Sequence, residues 1–330
     1  MEGNHFFLVA AIVSGIFSGP SLIGIYQDHI KQEETNSQID SSLRNADSLI
    51  KAADYEEAIG EYKDVLKLIS FQGNPVEYGR TQGSLGTAYG SLSEVRNKED
   101  NLNKALQAFD EALKVYTIEK YPINYAMTQG SLGTAYGILS EVWDKEDNLN
   151  KSLQAYDKAL KVFTIERYPI NYAMTQGGLG TAYGILSEVR DKEDNLNKAI
   201  QAFDEALKVF TIEKYPIDYA TAQGDLGIAF KGLSEVRDKE KNLNKALQAY
   251  DEALKIRTID RYPIDYAMTQ GNLGIAFKGF SEVRDKEDNL NKATQAYNEA
   301  LKVFTIEKYP IDYAKTQNNL GLLRPANRTS

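Results

Sequence analysis

The same six-residue string returns every 47 residues along most of this chain. TQGSLG and its close variants begin at Thr81, Thr128, Thr175, Ala222, Thr269 and Thr316. Six prolines follow the same spacing, and these are Pro75, Pro122, Pro169, Pro216, Pro263 and Pro310. A fixed period of this length is typical of repeat proteins, in which each unit packs only against its neighbours.

Each unit contains two amphipathic segments. Apolar residues recur at spacings of three and four from Ile123 to Val142 and again from Leu149 to Phe163. Pro122 suits the first turn of a helix, where its missing N–H costs nothing. In the polar run between the segments, Asp147 or Asn148 is placed to cap the second helix. The pattern predicts pairs of antiparallel helices that bury their apolar faces by stacking on neighbouring pairs.

The residues inside each unit resemble the tetratricopeptide repeat (TPR) family. That family has Leu-Gly-x-x-Tyr in its first helix and Ala-x-x-x-Phe-x-x-Ala in its second. This chain has Leu85-Gly-x-x-Tyr89 followed by Ala105-x-x-x-Phe109-x-x-Ala112, and the pattern recurs through five units. The period is longer than the usual 34 residues, and is similar to that of kinesin light chain and of bacterial and archaeal TPR arrays. The resemblance implies an all-α solenoid, wound as a right-handed superhelix, that binds protein.

The repeat spacing also predicts how the chain is divided. The predicted segments are a membrane anchor at 1–27, a polar linker at 28–40, a degenerate TPR unit at 41–74, TPR units at 75–121, 122–168, 169–215, 216–262 and 263–309, a terminal half-repeat at 310–325 and a tail at 326–330. The half-repeat contains a first helix only. It is interpreted either as a capping helix or as a truncated unit.

The N-terminal segment 6–26 contains no charged residue. As a helix it would be ~31 Å long, which matches the ~30 Å hydrocarbon core of a bilayer. The segment therefore predicts one transmembrane helix and a single-pass membrane protein that contacts the lipid bilayer through 6–26. A cleaved signal peptide is the alternative, although no Lys or Arg precedes the apolar run. Lys31 and Arg44 on its C-terminal side favour a cytoplasmic repeat domain.

Composition excludes several classes of function. The net charge of −9 argues against nucleic acid as a partner. The chain has no cysteine, so disulfides and zinc thiolate sites are excluded. Its two histidines, His5 and His29, lie outside the repeats, so the repeats hold neither a Ser-His-Asp triad nor a histidine metal site. We therefore expect no catalytic, metal or cofactor site.

The resemblance to TPR proteins places a binding groove along the first helices. The residues at the matching positions are Thr87, Met127, Thr134, Ile138, Met174, Thr181, Ile185, Ile228, Lys231, Ile275, Lys278, Lys315 and Asn318. Two interpretations of Lys231, Lys278 and Lys315 remain open. They favour an acidic peptide as the ligand, or they reach solvent and reduce repulsion in an acidic protein. Among these positions, only Asn318 keeps the asparagine with which related repeats hold a peptide backbone.

The leading functional hypothesis is a membrane-tethered TPR scaffold that binds a peptide or partner protein in this groove. One alternative is a structural protein whose repeats assemble with those of another copy. Another is a non-catalytic subunit of a larger signalling system.

Overall fold

The structure is a computed structural model that describes residues 20–323 of the 330-residue chain. Every regular element in that range is an α-helix. The chain divides into two compact units, Met1–Thr117 and Ile118–Ser330. The helices of the first unit are α1 (Pro20–Lys51), α2 (Tyr55–Leu68), α3 (Pro75–Val95) and α4 (Lys98–Leu113).

The second unit contains the longer series of helix pairs. Its helices are α5 (Pro122–Leu139), α6 (Lys145–Leu160), α7 (Pro169–Leu186), α8 (Lys192–Leu207), α9 (Pro216–Ser234), α10 (Lys239–Leu254), α11 (Pro263–Ser281), α12 (Lys286–Leu301) and α13 (Pro310–Gly321). Within each unit, every helix packs against the helix before it and the helix after it. The described residues of each unit therefore form an all-α solenoid of helical pairs, as the 47-residue period predicts.

The predicted single-pass membrane localisation is wrong. None of the helices in residues 20–323 is long and apolar enough to cross a membrane. Residues 6–19 of the predicted span lie outside the described residues, while its last residues belong to α1. The physical reason is that α1 does not end with the apolar segment but continues through charged residues such as Lys31, Glu33 and Glu34.

The predicted polar linker at 28–40 lies within helix α1 instead. The C-terminal half of α1 buries Ile39, Leu43 and Ala46, whose spacing of four and three places them on one face of the helix. The Tyr62 hydroxyl of α2 donates a hydrogen bond of 2.8 Å to Asp47 of α1. These contacts hold α1 and α2 together as a helical pair of the first unit.

Repeated residues start the helices from Pro75 onwards. Each first helix has a proline in its first turn. Each second helix follows an Asn or Asp with positive φ, and these residues are Asn97, Asp144, Asp191, Asp238 and Asp285. Asn and Asp tolerate this left-handed conformation better than other non-glycine residues. The second helix of the Pro122 unit therefore begins at Lys145, about one turn before the predicted cap at Asp147 or Asn148.

A buried asparagine closes each of these turns. The Asn242 side chain donates 2.8 Å to the carbonyl oxygen of Arg237. The same bond spans five residues at Asn101, Asn148, Asn195 and Asn289. Asn148, one of the two predicted cap residues, therefore does not accept a hydrogen bond from an N–H of its own helix. Its side chain instead donates to the carbonyl of Trp143 in the preceding turn.

Asn242→Ala is expected to lower the free energy of unfolding by about 1–3 kcal/mol, because the Arg237 carbonyl loses the hydrogen bond from the buried Asn242 side chain. Asn244→Ala, two residues along the same helix at an exposed position, is the matched control and should change stability by less than about 0.5 kcal/mol. Urea denaturation of the two variants measures the difference. Equal effects would show that the asparagine bond does not stabilise the turn.

In α3, α5, α7, α9 and α11, a glycine lies against an aromatic ring of the second helix of the same repeat. A Cβ placed on Gly133 would lie 2.7 Å from the ring of Tyr156, and one on Gly227 would lie 2.5 Å from the ring of Tyr250. The same approach is found between Gly180 and Phe203. Because real Cβ atoms are not found at such distances, the two helices reach this separation only with glycine at that position.

Ion pairs join successive repeats of the second unit. The Lys192 ammonium lies 2.6 Å from the Glu235 carboxylate, and Lys239 is 2.6 Å from Glu282. Lys145 and Glu188 form the corresponding pair at 2.8 Å. These pairs are largely exposed, so each contributes little stability, but they occupy lysines and glutamates that the repeat pattern alone leaves without partners.

Candidate functional site

Exposed apolar side chains mark one surface of the second unit. Met127, Met174 and Met268 occupy the same place in α5, α7 and α11 and are 55%, 62% and 54% exposed. Ile228 of α9 is 51% exposed. We call the surface formed by these four residues the first-helix face.

Two cavities lie side by side between α7 and α9. One has a volume of about 240 Å³ and contains Met174 and Thr181 of the predicted groove. The other has a volume of about 370 Å³ and contains Thr181, Ile185, Ile228 and Lys231. Thr181, Phe203 and Asp225 line both cavities. We call the two cavities together the α7/α9 cleft.

The other eight predicted groove residues lie outside this cleft. Thr87 is an exposed residue of α3 in the first unit. In the second unit, the remaining residues are Met127, Thr134 and Ile138 on α5, Ile275 and Lys278 on α11, and Lys315 and Asn318 on α13. Thr134 is engaged with its own repeat, since its hydroxyl lies 3.1 Å from the hydroxyl of Tyr156.

Asp225 is the residue in the cleft with the most strongly shifted pKa. Its side chain is partly buried, and burial raises its pKa to about 6 while the nearby positive charge of Arg257 opposes the rise. Within residues 20–323, no cation lies within ion-pair distance of the Asp225 carboxylate. Arg257 instead donates to the hydroxyls of Thr269 and Thr221, at 3.2 Å and 3.3 Å.

The space in front of Asp225 arises from a difference between neighbouring repeats. In the preceding repeat, the Tyr156 hydroxyl reaches Gly178, where a Cβ would lie 2.7 Å from that oxygen. One repeat later, Phe203 stands in place of the tyrosine and Asp225 in place of Gly178. Phe203 has no hydroxyl to donate to Asp225, and both residues line the cleft. The carboxylate therefore faces a cavity with an aromatic floor.

Lys231 is not a free cation of the groove. It lies on α9 one turn before Glu235 and forms an ion pair with that residue. Although burial alone would raise the pKa of Glu235, the hydrogen bonds from Lys192 and Lys231 together lower it. Lys278 and Lys315 form no ion pair within the described residues. The three lysines therefore differ in how available they are to a ligand.

The charged residues of the cleft sum to a negative charge. The smaller cavity contains Asp218 and Asp225 and no basic residue. The larger adds Glu188 and Glu235, whose charges are balanced by Lys192 and Lys231. Among the residues that line the two cavities, this leaves the two aspartates as the net charge, and the nearby Arg257 offsets part of it. A negative cleft disfavours the acidic ligand that the lysines alone would favour.

Asp225 and Phe203 are absent from the predicted groove. Their signal is visible when the repeats are compared position by position. The residues at the place of Asp225 are Ser84, Ser131, Gly178, Asn272 and Asn319. Asp225 is the one carboxylate in this series of small or amide residues, so the comparison identifies its repeat as chemically different from the others. No group of three or more His, Cys, Asp or Glu side chains in residues 20–323 is placed to hold a metal ion.

Comparisons with known proteins identify the fold. No protein-family model matches the sequence, and no curated protein matches it. Among solved structures, the chain is similar to PilW, described as a widely conserved type IV pilus biogenesis factor, with 15% identity and a TM-score of 0.50 over 84% of this chain and 98% of PilW. A thermophilic TPR protein of Thermus thermophilus matches at 19% identity over 73% of this chain and 98% of that one, with a TM-score of 0.44.

BtubC from P. vanneervenii is also similar, with 18% identity and a TM-score of 0.49 over 90% of this chain and 96% of BtubC. The match to PilW shows a shared fold, and the helical pairs described above confirm the resemblance to TPR proteins at the level of the fold. At these identities the likeness concerns the fold alone, so function has to be argued from the surface of this chain.

Proposed function

We propose that this chain is a non-catalytic protein-interaction scaffold that binds a peptide or a partner protein on its first-helix face. The observation that carries the proposal is the row of exposed side chains at Met127, Met174, Ile228 and Met268. Flexible, polarizable methionines adapt to varied apolar partners and are common at binding surfaces. Apolar groups aligned in this way favour binding of an extended segment along several repeats.

The α7/α9 cleft supports the same proposal. One of its two cavities, of about 240 Å³, is smaller than the roughly 300–1,000 Å³ of small-molecule pockets, and the other, of about 370 Å³, lies at the lower end of that range. Cavities of this size suit individual side chains of a partner. A peptide that crosses the exposed methionines would be able to place one side chain in the cleft.

An array of random twelve-residue peptides probed with the full chain tests the proposal. The variant Met127→Glu/Met174→Glu/Met268→Glu should lower peptide binding by about tenfold or more, since even partial burial of three methionines contributes more than ~1.4 kcal/mol. The matched control is Gln154→Glu/Gln201→Glu/Gln248→Glu, which adds the same charge on exposed positions of three second helices.

The control should bind the array like the wild-type chain. If both triple variants bind as the wild type does, or lose binding equally, the first-helix face is not the binding surface. Circular dichroism of both variants verifies that the helices remain folded.

A further inference from the structure

We propose that the α7/α9 cleft binds a basic side chain, lysine or arginine, of the partner peptide. This inference rests on the proposed function and adds the chemistry of the ligand to it. The cleft is the part of the first-helix face where a cavity and an unpaired carboxylate, that of Asp225, coincide.

The shape of the cleft fits a side chain with an apolar stem and a charged end. Phe203 provides an aromatic floor that the two cavities share. On the α7 side, Gly177 and Gly178 have no side chains that would narrow the smaller cavity. Asp225 lines both cavities and stands where they meet. Lysine and arginine bury their methylene stems against apolar surfaces while their charged ends reach a polar partner. An acidic or purely apolar side chain would leave the carboxylate without a partner.

The charges around the cleft favour the same ligand. Asp218 and Asp225 are the charged residues of the smaller cavity. The Arg257 guanidinium is near enough for its charge to oppose the rise in the pKa of Asp225, but it donates its hydrogen bonds to Thr221 and Thr269. Lys192 and Lys231 are both bonded to Glu235. The groups that face Asp225 therefore leave a negative charge that a cation from a ligand would neutralise.

The neighbouring repeat shows how the site could be closed. Tyr156 places its hydroxyl beside Gly178 and Thr134, which fills the corresponding space one repeat earlier. At the next contact between repeats, Phe203 lacks that hydroxyl and Asp225 stands in place of Gly178. A phenylalanine beside a carboxylate leaves the acceptor free for a donor that comes from outside the chain.

Two variants separate the effect of the Asp225 charge from the effect of the open space beside it. Asp225→Asn removes the charge and keeps the shape, and Asn is the residue that the next two repeats carry as Asn272 and Asn319. Phe203→Tyr keeps the charge but supplies an internal donor, as at Tyr156. Asp265→Asn is the control, since it removes one negative charge from an exposed position that is equivalent to Asp218 but lies one repeat further along.

The probe is the same array of random twelve-residue peptides, read for the residue types enriched among bound sequences. The full wild-type chain should enrich lysine or arginine at one position. Replacing that residue by norleucine should weaken binding about tenfold in wild type and in Asp265→Asn. A tenfold loss corresponds to ~1.4 kcal/mol, which is the least that we expect when a charge-assisted hydrogen bond is removed. The replacement should have less than about a twofold effect in Asp225→Asn, and a reduced effect in Phe203→Tyr.

Peptide binding without a basic preference would overturn the inference, and so would an equal norleucine effect in wild type and Asp225→Asn. In both cases the scaffold function would stand, because it is tested separately by the methionine and glutamine triple variants. An acidic preference that survives in Asp225→Asn would also overturn the inference.

Discussion

Replacing Gly227 with alanine is expected to destabilise the protein by about 1–3 kcal/mol. The new methyl group would lie 2.5 Å from the ring of Tyr250, so α9 and α10 would have to separate or the ring would have to leave its place. In an unconstrained helix, Gly→Ala has the opposite effect and stabilises by about 1 kcal/mol. The sign of the change therefore reports the close approach of the two helices.

Gly271 provides the matched control for this prediction. It lies in the next first helix, and a Cβ placed on it would have no neighbour within 4 Å. Gly271→Ala should therefore leave stability unchanged or raise it by up to about 1 kcal/mol. Urea denaturation of both variants measures the free energy of unfolding. A stabilising Gly227→Ala would mean that α9 and α10 do not pack at the distance described here.

The second large effect is expected at Asp225. Burial raises the pKa of this carboxyl from 3.8 to about 6, and each unit of such a rise corresponds to about 1.4 kcal/mol. At pH 7 the folded chain therefore loses up to ~3 kcal/mol by keeping Asp225 charged. Asp225→Asn should raise the free energy of unfolding at pH 7 by an amount that approaches this value, whereas Asp265→Asn should change it by less than about 0.5 kcal/mol.

The pH dependence has a defined sign. Because the pKa of Asp225 is higher in the folded chain, the folded state gains a proton as the pH falls through about 6. The wild-type chain should therefore become more stable relative to Asp225→Asn between about pH 6.5 and pH 4, and the two should converge below pH 4. Arg257, which opposes the rise, and Tyr250, whose pKa is raised by burial and by Asp225, are present in both proteins. A constant difference across this range would show that Asp225 titrates as an exposed carboxyl.

A residue that lowers stability at neutral pH is common where function requires it. The asparagines at the equivalent positions, Asn272 and Asn319, indicate that the fold accepts a neutral residue there. The energetic cost of Asp225 is then consistent with a carboxylate kept for a ligand, and binding of a cation would lower the pKa of Asp225 and recover part of that cost.

Much of the fold follows from local rules that the sequence displays directly. Prolines mark the first turns of the first helices because their geometry suits that position. The start of each second helix is less obvious, since an Asp with positive φ precedes it whereas the polar run predicts a cap about one turn later. Helix α1 is hard to predict because its charged residues suggest a linker, although Ile39, Leu43 and Ala46 follow a helical spacing.

The candidate site is only partly predictable from the sequence for a physical reason. The exposed Met174 and Ile228 follow from their register in the first helices. The ion pair between Lys231 and Glu235 follows from a spacing of four residues on one helix, which removes one cation from the predicted groove. The role of Asp225 depends on Phe203 in a different helix, and residues this far apart in sequence come together only when the repeats stack.

Photo-crosslinking tests most directly whether the first-helix face and its α7/α9 cleft form the binding surface. A peptide selected on the array would carry a photoreactive group beside its basic residue, and mass spectrometry would locate the crosslink on the full chain. We expect crosslinks on α7 and α9 at or near Met174, Thr181 and Thr221, and fewer of them in Asp225→Asn at the same peptide concentration. Crosslinks confined to the exposed faces of α8 and α10, at positions such as Gln201 and Gln248, would contradict the account.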